Sequence, residues 1–130
     1  MGDQETIKEK GVIIIEKFEK TFLKGELLFK QGDPPDEVYL VKSGKIEVFV
    51  NEGENKKRLN IVTEGEFLGE MAIIDGRPRS ASAAALEDST VIIIDRKTLL
   101  KQMEVDPLLG ALITTLVRRL REMDRKLSRT

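Results

Sequence analysis

Val38-Tyr39-Leu40-Val41-Lys42-Ser43-Gly44-Lys45-Ile46-Glu47-Val48-Phe49-Val50 is the stretch that decides the fold. Two apolar, largely β-branched runs flank Ser43-Gly44, a pair that reads as a turn. In the second run Ile46, Val48 and Val50 alternate with Glu47 and Phe49. One face is therefore expected to be buried and the other mixed. Outward from here the same grammar repeats. Gly25-Glu26, Gly32-Asp33-Pro34-Pro35, Glu52-Gly53-Glu54-Asn55, Glu64-Gly65-Glu66 and Asp75-Gly76 all read as turns. Residues 59–63, 81–85 and 91–94 read as strands between them. Many short strands at regular spacing predict a closed or sandwiched antiparallel sheet. The first twenty residues admit a short helix around 4–10 and a strand from Val12.

After Asp95 the pattern turns helical. Asp95 is expected to cap a helix over 96–104. Asp106-Pro107 restarts the chain as a second helix, a cap residue followed by proline at the first helical position. Only Gly110 interrupts it before about Ser128. Leu109, Ile113, Leu116, Leu120, Met123 and Leu127 follow steps of four and three, a heptad seam. Leu108, Leu112 and Val117 supply a second apolar edge. The helix packs on the sheet, or packs there by one edge while its seam pairs with a second subunit. Arg118, Arg119, Arg121, Arg125, Lys126 and Arg129 read as favourable charge at a helix C-terminus, interleaved with Glu122 and Asp124. They do not read as a nucleic-acid surface.

Composition narrows the chemistry. The 130 residues are 40% hydrophobic and 35% charged with a net charge of −1, which describes one soluble domain with no field drawing it to nucleic acid or membrane. The sequence has neither Cys nor His. Disulfides, thiol chemistry and most metal sites are excluded, as is the commonest general base. No loop has the spacing of a carboxylate-only Mg or Ca site. No catalytic residue, metal or cofactor is expected. The acidic, polar start does not read as a signal peptide. Val12-Ile13-Ile14-Ile15 is too short to span a bilayer. Gly2 and Thr6 match a myristoylation pattern, but nothing basic supports it. The cytoplasm is the expected location.

A second stretch carries the chemistry: Gly69-Glu70-Met71-Ala72-Ile73-Ile74-Asp75-Gly76-Arg77-Pro78-Arg79-Ser80-Ala81-Ser82. Gly69 lets backbone approach a ligand closely. If residues 70–73 open a short helix, their free N–H groups make an anion site. Arg79, behind the stiff Pro78 and before three small residues, offers a planar fork that fits phosphate oxygens. Glu70 would repel a phosphate, so its useful partner is a donor such as a ribose hydroxyl. The alternatives are bland: a solvated arginine, and an acid favourable in a first helical turn.

This stretch resembles the phosphate-binding cassette of the cyclic nucleotide-binding domain family, the family of bacterial catabolite activator proteins and regulatory subunits of cAMP-dependent kinase. Lys24-Gly25-Glu26-Leu27-Leu28-Phe29-Lys30-Gln31-Gly32-Asp33 and Tyr39-Leu40-Val41-Lys42-Ser43-Gly44-Lys45-Ile46-Glu47-Val48 resemble the family's early strands and turns, in the same order. The resemblance implies a mainly β fold with α: an antiparallel, jelly-roll-like β-roll with a short cassette helix and two C-terminal helices. It implies one domain over 1–130, the roll at about 18–95 and hinge and lid or dimerisation helices at 96–130. A helix-turn-helix unit would begin after Thr130 in the transcription factors it resembles. The chain is thus expected to be a sensor without a DNA-binding domain, or a fragment cut there.

The resemblance further implies a receptor for a cyclic mononucleotide, cAMP ahead of cGMP. Its signal would pass by movement of the last helix to a protein effector or a dimer mate. Gly69, Glu70, Met71, Ala72, Arg79, Ser80 and Ala81 become the ligand-binding positions, with Arg79 on the phosphate and Glu70 on the ribose 2′-hydroxyl. Val48, Leu59 and Val62 would line the apolar side of the base, or simply be core. Arg119 and Asp124 would reach the base from the last helix, or belong to its solvated face. No aromatic follows Phe67, so an aromatic cap on the base is not expected. Two rivals are an interaction module on the same fold that binds no nucleotide, and a metal-dependent hydrolase, which no His or ligand cluster supports.

Overall fold

A computed structural model of the chain describes residues 15–128, with 124–128 described by backbone alone. The expected helix at 4–10, most of the strand from Val12, the Thr6 motif and the side chains of Asp124 and Leu127 lie outside the described residues.

Among the described residues eight strands and three helices follow one another: β1 (Lys17–Phe22), β2 (Leu27–Phe29), β3 (Glu37–Ser43), β4 (Lys45–Glu52), β5 (Asn55–Thr63), β6 (Phe67–Leu68), α1 (Ala72–Asp75), β7 (Ser82–Ala85), β8 (Ser89–Asp95), α2 (Arg96–Val105) and α3 (Pro107–Ser128). The strands form two four-stranded sheets ordered β1-β8-β3-β6 and β2-β7-β4-β5, with every pairing antiparallel. This is the expected roll. Ile93 on β8 faces Phe18 of β1 on one side and Tyr39 of β3 on the other. Phe22, Tyr39, Val41, Ile46, Val91 and Ile93 are buried between the sheets. Ala83 and Ala85 on β7 are buried with them, and their small size admits the larger neighbours.

The Ser43-Gly44 turn does more than reverse the chain. It carries it from the first sheet to the second, because β3 pairs with β8 while β4 pairs with β5 and β7. Gly44 has φ 100, and a Cβ there would overlap the Ser89 side chain. The crossing therefore needs glycine on both counts.

One sequence expectation fails on β4. Its second face is not mixed at Glu47, which is 2% exposed. β4 is a central strand, and the long side chains of β5 fold across its outer face. Lys56 Nζ and Arg58 Nε each donate to the Glu47 carboxylate at 2.7 Å. Their stems cover the acid while their charges compensate it. β5 itself starts at Asn55, ahead of the expected 59, because pairing with β4 recruits Lys56, Lys57 and Arg58. Three charged residues carry little strand signal of their own.

The helix starts match their caps. The Asp95 carboxylate accepts from the Thr98 N–H at 2.9 Å, and Asp106 accepts from the Leu109 N–H at 3.2 Å.

Candidate functional site

Arg79 leaves the connection between α1 and β7, and the β2–β3 turn grips its backbone. Its N–H donates to the Asp33 carbonyl at 2.8 Å, and its carbonyl accepts from the Gly32 N–H at 2.8 Å. The side chain then runs inward and is only 7% exposed. Nη2 donates to the Glu37 carbonyl at 2.5 Å, and Nη1 lies 3.5 Å from the Gly69 carbonyl. The guanidinium carbon sits 4.4 Å from the Phe29 ring centroid and 5.7 Å from that of Tyr39. Among the described residues no carboxylate forms an ion pair with Arg79. Its Nε is buried and has no hydrogen-bond partner among the described residues. A buried cation held by carbonyls and rings keeps its net charge and one donor for an incoming group.

Gly69 closes on this cation from the other side. Its φ is 77, and a Cβ would lie 2.6 Å from Arg79 Nη1 and 3.4 Å from the Glu37 carbonyl oxygen. Glu70 is partly buried at the next position. α1 begins later than the sequence predicts. Met71 precedes it in helical conformation, and Gly76 with φ 60 ends it. The expected free N–H groups at 70–73 are corrected in part. Ala72 and Ile73 donate to the Gly69 and Glu70 carbonyls at 3.2 and 3.0 Å, so the segment closes into tight turns on itself. The segment thus offers fewer open helix donors than expected, and Arg79 carries the positive charge beside it. Ala72 and Ala81 are buried, and Ser80 is exposed beside Arg79.

The apolar positions separate. Val62 is core, Val48 packs against the core, and Leu59 is 52% exposed. Two depressions of about 480 and 440 Å³, neither lined by Arg79, lie one between α2 and α3 and one beside β2, β4 and β7.

Two arginines fasten the cassette helix to the C-terminal helices. Arg96, the first residue of α2, donates through Nε to the Ala72 carbonyl at 2.6 Å. Arg121 on α3 donates through Nη2 to the Asp75 carboxylate at 2.8 Å, and its Nε approaches the Met71 sulfur at 3.4 Å. Arg119 is exposed. At about 100° per residue Arg119 and Arg121 point about 160° apart, so one rotation of the helix cannot aim both at the cassette. Here α3 packs on α2 and α1, with Val117 buried.

Sequence reading missed Phe29, Glu37, Tyr39, Arg96 and Arg121 as site neighbours. Phe29 and Tyr39 sit in strand patterns that predict burial without predicting what the rings face. Arg121 is one of several basic residues in a row. The Tyr39 hydroxyl donates to the Glu37 carboxylate at 3.0 Å. Burial and that neighbouring acid hold its phenol well above the usual range, so it stays protonated.

A two-sheet roll that buries an arginine against a glycine-led cassette is the architecture expected of a cyclic nucleotide-binding domain. The family model for the cyclic nucleotide-binding domain matches residues 19–106, and the chain belongs to that family. A cyclic AMP receptor protein of Thermus thermophilus is 37% identical over 110 residues, which is 83% of this chain and 51% of that protein. The chain thus spans about half the length of that relative. The crystal structure of the Thermus thermophilus catabolite activator protein superposes with a TM-score of 0.68 at 32% identity, covering 97% of this chain and 57% of that one. The cAMP-bound EAL enzyme Bd1971 superposes with a TM-score of 0.66 at 31% identity over 85% of this chain and 30% of the enzyme. Its cGMP-bound form gives 0.64 at 32% identity over 80% of this chain and 28% of the enzyme. Among the described residues, no helix is long and apolar enough to cross a membrane, and no cluster of acids is placed to hold a metal.

Proposed function

We propose that this chain is a cytoplasmic receptor for a cyclic mononucleotide, cAMP ahead of cGMP, and that it acts without catalysis. One observation carries the reading: the buried Arg79 cation has no carboxylate partner among the described residues and keeps Nε without a hydrogen bond. An anion brought to that cation supplies both missing terms. Arg79 takes the cyclic phosphate, with Ser80 and the backbone of Gly69, Met71, Ala72 and Ala81 around it. Glu70 takes the ribose 2′-hydroxyl, and Val48, Leu59 and Val62 form the apolar side toward the base. The likeness to a receptor named for cAMP supports that order of ligands, while the Bd1971 structures carry either nucleotide on a similar fold.

The response runs through the helices. Any shift of the cassette reaches α2 through Arg96 and α3 through Arg121. α3 then engages a protein effector or a second copy. Its outer face favours the second copy, because Leu112, Leu116, Leu120 and Met123 are 55%, 50%, 40% and 58% exposed along one stripe. A base contact from Arg119 belongs to a different rotation of α3.

Calorimetric titration of nucleotide-stripped protein with cAMP and cGMP, repeated on Arg79→Ala, tests the reading. We expect saturable binding, tighter for cAMP, and a loss of about 100-fold or more in the variant. Folded protein that gives no heat with either nucleotide would overturn it.

A further inference from the structure

The Arg79 guanidinium is held by partners that do not neutralise it. We infer that the Phe29 ring, backed by Tyr39, is a positioning element that presets the Arg79 cation for its anion, by attraction to the ring face rather than by filling space. This rests on the assignment of Arg79 as the anion-binding group.

Three observations support it. First, Phe29 on β2 is the nearer ring, at 4.4 Å from the guanidinium carbon, well within cation–π range. Second, the two rings brace each other, with centroids 5.6 Å apart and planes inclined at 36°. Tyr39 is fixed in turn by its hydroxyl on Glu37, whose carbonyl accepts from Arg79 Nη2. One strand residue thus anchors both the brace and the cation. Third, the charge balance singles out such a partner. A carboxylate in the same place would hold Arg79 as well but would cancel its charge and compete with a phosphate. A ring face attracts the cation and leaves its full charge for the ligand.

The test separates electrostatics from packing. Phe29 is replaced by Leu and, in a parallel series, by mono-, di- and trifluorinated phenylalanine, which keep the shape and drain the ring face of charge. Two readouts are taken: the Arg79 Nε–H resonance in nucleotide-free protein, and calorimetric affinity for cAMP. We expect a shifted, slowly exchanging Nε–H in wild type that moves stepwise toward the solvent position along the fluorine series. The cAMP affinity should fall in step, by about tenfold for Phe29→Leu, with nearly constant melting temperature in the fluorinated proteins. A resonance and an affinity indifferent to fluorination, changing only in Phe29→Leu along with the melting temperature, would make Phe29 mere packing and overturn the inference. The resonance is read without ligand. Wild type that binds neither nucleotide but keeps the stepwise resonance shift would therefore overturn the receptor reading and leave the positioning of Arg79 supported.

Discussion

The Arg121 guanidinium on α3 and the Asp75 carboxylate on the cassette helix meet at 2.8 Å, linking the last helix of the chain to the segment that carries the anion site. Both side chains are under a third exposed, at 29% and 27%. The pair is therefore less screened than a surface bridge, though still partly wet. With the Arg96–Ala72 bond it gives the cassette two ties to the helical half of the domain.

A double-mutant cycle on Arg121→Ala and Asp75→Ala should return a coupling of about 0.5–1 kcal/mol in chemical denaturation. Each single variant should also speed hydrogen exchange in α3 while leaving β8 unchanged. Additive effects, or exchange that rises equally across the roll, would mean that the pair does not fasten α3.

Gly69→Ala should damage both the fold and the site. The left-handed φ strains any other residue, and the added Cβ would press on Arg79 Nη1. A loss of about 1–3 kcal/mol in stability is expected. Affinity for cAMP should fall at least about tenfold, because the guanidinium must retreat from its carbonyl partners. Retention of full affinity would show that the close approach has no bearing on the ligand.

Glu47 makes part of the stability depend on acid. Hydrogen bonds from Lys56, then from Arg58, hold its carboxyl below the ordinary 4.5. The folded value is the lower one, so its contribution is complete above the ordinary value and fades as pH falls through the folded value. Wild type should therefore lose more stability than Glu47→Gln between about pH 7 and about pH 3, by about 1 kcal/mol. Parallel losses in the two proteins, measured by urea denaturation, would refute the assignment.

The exposed stripe on α3 predicts self-association. Leu116→Glu and Leu120→Glu should each convert a dimer to a monomer in light scattering, without lowering the melting temperature of the roll. A wild-type monomer at every concentration tested would leave the stripe to a different protein partner.

Much of this molecule was legible in its sequence because the signals were local. Strand periodicity around Ile46 and the β-branched run at 91–94 required no partner to be recognised. Asp95 and Asp106-Pro107 announced the two helices at the positions where they begin. Glycine and arginine in the cassette stood out through residue chemistry together with the resemblance that the whole segment carries. The signal weakened wherever a neighbour did the deciding. Lys56, Lys57 and Arg58 lay outside the expected strand and became part of it through pairing with β4.

By itself, the sequence determined a closed or sandwiched antiparallel sheet, the helix starts and the residue types available to meet an anion, since backbone preference, capping and charge are properties of short segments. The tertiary structure decided what each group faces. It buried Glu47 under two cations and turned Arg121, not Arg119, toward the cassette. It set Arg79 between Phe29 and the carbonyls of Glu37 and Gly69, residues ten to fifty positions away in the chain. Such contacts arise when two sheets close on one another, and the energy that selects them comes from burial and charge compensation between distant segments.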